Sequence, residues 1–257
     1  MTKHSLPILT ATLAGLALSL TACPTPSTFT QDETFVGGVT VTAETLNLGY
    51  RSYVRHCYAC HGMEGDGRGP SAPGLNPQPR DLRNAQFKFG WVTDGLPHDD
   101  DIMRLLQGGL HGTAMLAWQV PEPELIAIVG YIKTFSEPGM GWRDLEMDLG
   151  EKVTTPAEDS WEGREAEAMA EGNSLYHTTA NCWKCHPAYS SREYIYEQAQ
   201  IRGTGASFDE NMYDSKLQEE TYFQANGEPI DVLPPDYTFS RLRVSHGVEG
   251  IYKTIRG

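Results

Sequence analysis

Cysteine is scarce in this chain, and basic residues are scarce as well. The 257 residues include five cysteines, and four of them stand in a repeated motif with its own chemistry. The fifth is Cys23, near the start, so no cysteine is left over for structural disulfides. The 20 lysines and arginines face 34 acidic residues, which gives a formal net charge of −14. A surface of this sign repels nucleic acid and favours partners with basic docking faces.

Long apolar runs are also scarce, since the chain has one, over residues 6–20. It follows Lys3 and His4 and ends in Leu20-Thr21-Ala22-Cys23, which is the shape of a secretory signal. A run of 15 residues is short for a membrane-spanning helix, although an uncleaved anchor is the alternative. We therefore predict a signal peptide over residues 1–22 and no further membrane span.

The end of that segment resembles the processing box of bacterial lipoproteins. The resemblance implies cleavage before Cys23 and attachment of lipid to its sulfur and its amine. More than one acyl chain is needed for stable anchoring, so a multiply acylated Cys23 would hold the protein to a membrane surface. Loss of residues 1–22 removes Lys3 and no acid, which brings the net charge to −15. We expect a body on the periplasmic side of a bacterial membrane, with residues 23–41 as a flexible tether.

One five-residue pattern occurs twice, as Cys57-Tyr58-Ala59-Cys60-His61 and as Cys182-Trp183-Lys184-Cys185-His186. C-x-x-C-H is the attachment motif of c-type haem, in which two thiols form thioether bonds and the histidine reaches the iron. The sequence therefore predicts two covalently bound haem c groups. The predicted attachment residues are Cys57, Cys60, Cys182 and Cys185, and the predicted iron ligands are His61 and His186.

Two other uses of paired cysteines explain the pattern less well. A zinc ribbon also contains C-x-x-C pairs, but it does not need a histidine directly after each pair. A thioredoxin-like pair would occur once, near a β-α-β pattern. The haem interpretation is also supported by an internal repeat, because glycine and then tyrosine four residues later precede both motifs. The repeated residues are Gly49 and Tyr53 in the first copy and Gly172 and Tyr176 in the second. Each copy predicts a helix whose tyrosine lies near the attachment loop.

The first motif is followed by a glycine-rich stretch over residues 62–70, by Pro79-Arg80-Asp81-Leu82 and by Gly112-Thr113-Ala114-Met115. In combination, these motifs resemble the class I bacterial cytochrome c family over residues 42–136. The resemblance implies that Met115 supplies the second axial ligand, and a soft, neutral thioether raises the reduction potential of a haem. It also implies that the carbonyl of Pro70 accepts a hydrogen bond from His61. An ordinary turn is the alternative for Pro70.

The predicted fold is mostly α, with two tandem cytochrome c-like helical domains. We expect the first domain over residues 42–137, a linker over 138–162 and the second domain over 163–257. In the first domain, a helix is expected around residues 99–107. A closing helix is expected over residues 121–135, where Leu125, Val129 and Ile132 form one apolar stripe.

The second copy departs from the family pattern. A long polar stretch over residues 190–231 separates its motif from Pro234-Pro235-Asp236, and residues 251–257 realign with residues 102–108. In that register, a counterpart of Met115 would fall at position 264, so the second domain is incomplete as it stands. We expect a longer natural chain. A different ligand, with Met212 and His246 as candidates, or an open coordination position are the alternatives.

A six-coordinate haem leaves no site for a substrate, so its chemistry is the gain and loss of one electron. The sequence therefore predicts an electron carrier that acts between respiratory-chain partners, and not an enzyme. The family resemblance implies a place within an oxidase or dehydrogenase complex. A dihaem peroxidase with an open second haem is the alternative, although no acid/base residues for peroxide cleavage are evident. A haem-based sensor would need an output domain, and none is visible.

Overall fold

The computed structural model describes residues 28–214, 220–223, 229–232, 234–244 and 247–257. The predicted signal peptide, Cys23 and His246 lie outside the described residues. The described part is mostly α-helical, as predicted. Its helices are α1 (Ala43–His56), α2 (Tyr58–His61), α3 (Asp99–Gly108), α4 (Glu122–Lys133), α5 (Glu165–His177), α6 (Arg192–Arg202) and α7 (Val248–Arg256).

Short antiparallel pairs account for the strands in the described residues. They are β1 (Glu33–Phe35) with β2 (Val39–Val41), β3 (Val92–Thr93) with β4 (Glu151–Lys152), and β5 (Glu220–Phe223) with β6 (Pro229–Val232). None of the helices among the described residues combines the length and the apolar character that crossing a membrane requires.

The larger hydrophobic core, called here the first core, is built around the crossing of α1 and α4. The predicted stripe of Leu125, Val129 and Ile132 is buried there, with no more than 3% of any of these residues exposed. The helices meet at Gly49, where a Cβ atom would lie 2.1 Å from the carbonyl oxygen of Ala127. Only glycine lets two helix backbones approach this closely.

The predicted tether and linker both contribute to the first core, which corrects part of each prediction. Phe35 and Val36, in the predicted tether, are fully buried, because the Gly37-Gly38 turn folds β1 back on β2. Both glycines have positive φ, as tight hairpin turns require. Trp142, in the predicted linker, is fully buried as well, and β4 pairs with β3. Burial of the apolar side chains in these segments lowers the free energy of the fold, so the segments pack on the core and are not free connections.

A smaller core, called here the second core, lies beside the second motif. It consists of the buried residues Trp183, Ala188, Ile195 and Met212, with Tyr176 and Tyr194 packed against them. At Gly172 of α5, a Cβ would meet no atom within 4 Å, so no described helix is pressed against this glycine as α4 is pressed against Gly49. The second repeat therefore shares the helix that leads into the motif, but not the close helix contact at its glycine.

In the alignment of the two repeats, α7 corresponds to α3, but its apolar residues are less buried. Ile102 and Leu106 of α3 are buried in the first core. Their aligned residues in α7, Ile251 and Ile255, are 36% and 77% exposed.

Candidate functional site

The first motif forms a single helical turn directly after α1. The amide groups of Cys60 and His61 both donate to the carbonyl oxygen of Cys57, at 3.1 and 2.9 Å. Cys57 follows the last residue of α1, so the packing of α1 against α4 sets the position of the turn. The glycine-rich stretch then folds back against the motif, where the Gly69 amide donates to the Cys60 carbonyl at 3.0 Å. A Cβ at Gly69 would lie 2.4 Å from the carbonyl oxygens of Tyr58 and Ala59, so the close return requires glycine.

The ring of His61 is oriented by a backbone carbonyl. Its Nδ1 lies 3.0 Å from the carbonyl oxygen of Arg80, and since a carbonyl only accepts, Nδ1 carries the proton. Nε2 is thereby left with its lone pair for a metal. Burial lowers the pKa of His61 below its ordinary value, which favours the neutral imidazole that binds iron. The predicted role of Pro70 was therefore wrong, because the chain brings Arg80 to this position instead.

The second motif repeats this arrangement. The amide groups of Cys185 and His186 donate to the carbonyl of Cys182, at 3.1 and 2.9 Å. Nδ1 of His186 donates to the carbonyl oxygen of Pro235 at 2.9 Å. Burial again lowers the pKa of the histidine, although the hydrogen bond to Pro235 opposes the effect. Sequence reasoning did not assign a role to Pro235, although the shared pattern of Pro79-Arg80-Asp81 and Pro234-Pro235-Asp236 could have indicated it.

The tyrosines that precede the two motifs make equivalent hydrogen bonds. The hydroxyl of Tyr53 donates to the carbonyl of Gly62, directly after His61, at 2.7 Å. The hydroxyl of Tyr176 donates to the carbonyl of Pro187, directly after His186, at 2.9 Å. The prediction that each tyrosine lies near its attachment loop is thus confirmed by geometry.

The four described cysteines form no disulfide bonds with one another. Burial raises the pKa of Cys57 to about 12 and also raises the pKa of Cys182, so both thiols are neutral at pH 7. Within the described residues, no group of three or more His, Cys, Asp or Glu side chains is arranged to hold a metal ion.

Met115 lies at the edge of the first core, as Cys57 also does. Its loop is held by internal hydrogen bonds, since the Met115 amide donates to Oγ1 of Thr113 at 3.0 Å and the Leu110 amide donates to the Met115 carbonyl at 2.8 Å. Trp118, which follows in the loop, packs edge-on against His56 of α1 at 5.3 Å between ring centroids. The loop is thereby fixed to α1, the helix that leads into the motif.

The second motif is surrounded by residues that differ from those of the first. Met212 is buried in a turn, with 1% exposed, and its carbonyl accepts a hydrogen bond from the Ala188 amide at 2.6 Å. Tyr237 is a residue that sequence reasoning missed. Its hydroxyl lies 3.0 Å from Nε2 of His186 and, because Nδ1 is the donor to Pro235, Nε2 accepts the hydrogen bond. Binding of iron at His186 requires this phenol to move aside.

Comparisons with known proteins are sparse. No protein-family model matches the chain, and no curated protein matches it. A chain in a solved structure from Kuenenia stuttgartiensis, a reducing HAO-like protein complex, is similar to it with a TM-score of 0.58. The identity is 24%, and the likeness covers 80% of each chain. At this identity the likeness shows a shared fold.

Proposed function

We propose that this chain is a dihaem c-type cytochrome that relays single electrons, with two tandem cytochrome c domains. The observation that carries the proposal is the repeated arrangement at the two C-x-x-C-H motifs. In both copies a backbone carbonyl accepts from Nδ1 of the histidine, and a tyrosine hydroxyl donates to the carbonyl that follows it. A chance pair of cysteine motifs would not be supported by the same second set of hydrogen bonds.

The residues of the chain divide the work between attachment, ligation and orientation. Cys57 and Cys60 would hold one haem, and Cys182 and Cys185 the other. A bound haem supplies reversible one-electron chemistry at its iron. His61 and His186 would each offer Nε2, with the ring held in one tautomer by the carbonyl on Nδ1. Met115 would complete the ligands of the first iron, within a loop whose hydrogen bonds keep its backbone in place.

The structural neighbour supports a redox role within an assembly. It belongs to a complex described as reducing, so a chain of this fold takes part in a multisubunit protein. We propose that the present chain also works with redox partner proteins, and that its formal charge of −14 selects partners with basic docking faces. We propose an electron carrier and not an enzyme, on the periplasmic side of a bacterial membrane and anchored through lipid on Cys23. Mass measurement of the membrane-extracted chain tests the anchor: we expect a chain that begins at an acylated Cys23, and a chain that retains residues 1–22 or carries no acyl group would contradict the anchor.

Spectroscopy and mass measurement of the purified chain test the proposal. We expect the mass of two covalently bound haems and the sharp reduced bands of c-type haem. The paired variants C57S/C60S and C182S/C185S should each lose one haem and keep the other, which makes each the control of the other. A protein without covalent haem would contradict the proposal. A second haem that is high-spin and binds cyanide or peroxide would instead support the peroxidase-like enzyme.

A further inference from the structure

One segment of the second repeat touches both motif regions. Residues 234–244, called here the strap, begin at the second motif, where the carbonyl of Pro235 accepts the hydrogen bond from His186. Eight residues after Pro235, Arg243 reaches the loop that carries Met115 in the first repeat. The strap therefore contacts both of the proposed haem sites.

The contact between Arg243 and the Met115 loop uses both side chain and backbone. Nη1 of Arg243 donates to the carbonyl oxygens of Gly112 and His111, at 2.9 and 3.3 Å. The carbonyl of Arg243 accepts from the His111 amide at 2.8 Å. Both bonds come from one guanidinium nitrogen, whose N–H groups have fixed directions in the plane of the group, so it restrains the direction of the carbonyls that it binds.

Hydrogen bonds within the loop connect the residues that Arg243 contacts to Met115. Gly112 has φ of +71° and is followed by Thr113, whose Oγ1 donates to the Leu110 carbonyl at 2.8 Å and accepts from the Met115 amide. The Leu110 amide in turn donates to the Met115 carbonyl. The loop is thus a closed set of hydrogen bonds, with Arg243 attached at its Gly112 end.

We propose that Arg243 is a positioning residue for Met115, and that the strap couples the distal loop of the first haem to the proximal histidine of the second. The proposal rests on the proposed function, because it takes Met115 and His186 to be iron ligands. In this proposal the strap orients His186 and also holds the Met115 loop. A movement of the Met115 loop is transmitted through Arg243 to the segment whose Pro235 carbonyl holds His186.

The test is displacement of Met115 by imidazole in the full-length ferric protein with both haems attached. Displacement is followed by the loss of the methionine-to-iron charge-transfer band. In R243Q the side-chain hydrogen bonds to the loop are lost, so we expect imidazole to bind at the first haem about tenfold more tightly, equal to about 1.4 kcal/mol. The matched control is R241Q, on the same strap, where Arg241 is exposed and an unchanged affinity is expected.

A second measurement addresses the coupling. Addition of imidazole should shift the midpoint potential of the second haem in the wild-type protein, and the shift should be smaller in R243Q. If R243Q does not accumulate, R243K replaces it, with an expected rise in imidazole affinity of about threefold, because the rotatable ammonium of lysine does not fix the direction of its donors. Equal imidazole affinity in wild type, R241Q and the Arg243 variant would overturn the positioning role. If the wild-type protein has no charge-transfer band in the absence of imidazole, Met115 is not a ligand and the result contradicts the proposed function itself.

Discussion

At the scale of single residues, the two histidines of the motifs are held by backbone carbonyls and not by carboxylates. A carboxylate partner would add a buried negative charge and favour the imidazolium form, whereas a carbonyl orients the ring without a charge. The pKa of both histidines is lowered by burial, so both rings stay neutral at pH 7. This is the form of histidine that binds a metal.

The hydroxyl of Tyr53 provides a prediction at this scale. Tyr53 is fully buried, and Tyr53→Phe leaves the buried carbonyl of Gly62 without its donor. We expect the free energy of unfolding to fall by about 1–3 kcal/mol. Chemical denaturation measures the change. Tyr50→Phe is the control, since Tyr50 lies on the same helix and packs on Tyr131 as Tyr53 does, and its change should stay below about 0.5 kcal/mol.

A second residue-scale prediction concerns pH. His177 is buried and donates from Nδ1 to the Asn173 carbonyl, while its Nε2 accepts from the Tyr189 amide at 2.9 Å. Burial lowers the pKa of His177 below its ordinary 6.5, so below this pH the unfolded chain binds a proton that the folded chain does not. Stability should therefore be greatest above pH 6.5 and fall as the pH decreases, by up to about 1.4 kcal/mol per pH unit for this group.

Urea unfolding of wild type and His177→Gln between pH 5 and 8 tests this assignment. The variant cannot protonate at this position, so its stability should depend less steeply on pH. Identical slopes for the two proteins would show that His177 does not carry the effect.

At the scale of helices, the two repeats differ in what covers the helix before the motif. Gly49 of α1 is pressed against α4, and Gly172 of α5 has open space where a Cβ would be. The two glycines occupy matching positions in the repeats, but glycine is not required at both for the same structural reason. At Gly49 the reason is a close helix crossing, while at Gly172 the described residues provide none.

Matched substitutions at these glycines test the difference. Gly49→Ala should destabilise the first core by about 1–3 kcal/mol, because the new Cβ overlaps the Ala127 carbonyl and the helices must separate. Gly172→Ala should stabilise α5 by up to about 1 kcal/mol, because alanine favours a helix over glycine and meets no neighbour. Thermal unfolding measures both, and a destabilised Gly172→Ala would contradict the open face.

At the scale of the whole molecule, the two repeats are joined by more than the connecting chain. Besides the strap, α7 is attached to the first repeat at Trp91. Nε1 of Trp91 donates to Oγ1 of Thr254 at 3.3 Å, and Nζ of Lys253 lies 5.2 Å from the centre of its ring. The guanidinium of Arg104 stacks on the same ring at 3.4 Å. The tryptophan thus lies between α3 and α7.

Trp91→Leu should loosen α7 from the first repeat. The substitution removes one hydrogen bond and cation–π contacts of about 0.5–2 kcal/mol each, so amide hydrogens in α7 should exchange faster. Hydrogen exchange followed by mass spectrometry measures this directly. Trp161→Leu is the control, because Trp161 stacks with Arg164 and not with α7, and exchange in α7 should then be unchanged. Unaltered exchange in Trp91→Leu would show that other contacts hold the helix.

The sequence alone determined the features that depend on local spacing. It predicted α3 and α4 to within two residues at each end, the buried stripe of α4, and the tyrosine near each motif. It also identified the histidines and cysteines of both motifs as the candidate site. The helix predictions succeeded because helical periodicity is a property of neighbouring residues. The assignment of the histidines and cysteines stays a prediction from a five-residue motif.

Only the tertiary structure decided which distant groups meet at the site. The carbonyls that hold His61 and His186 come from residues 19 and 49 positions further along the chain, and no local pattern specifies such a separation. The same holds for the contact of Arg243 with the Met115 loop and for the burial of Met212, Phe35 and Trp142. Each depends on how the chain folds back on itself, which is set by the packing of the whole hydrophobic core and not by residue spacing.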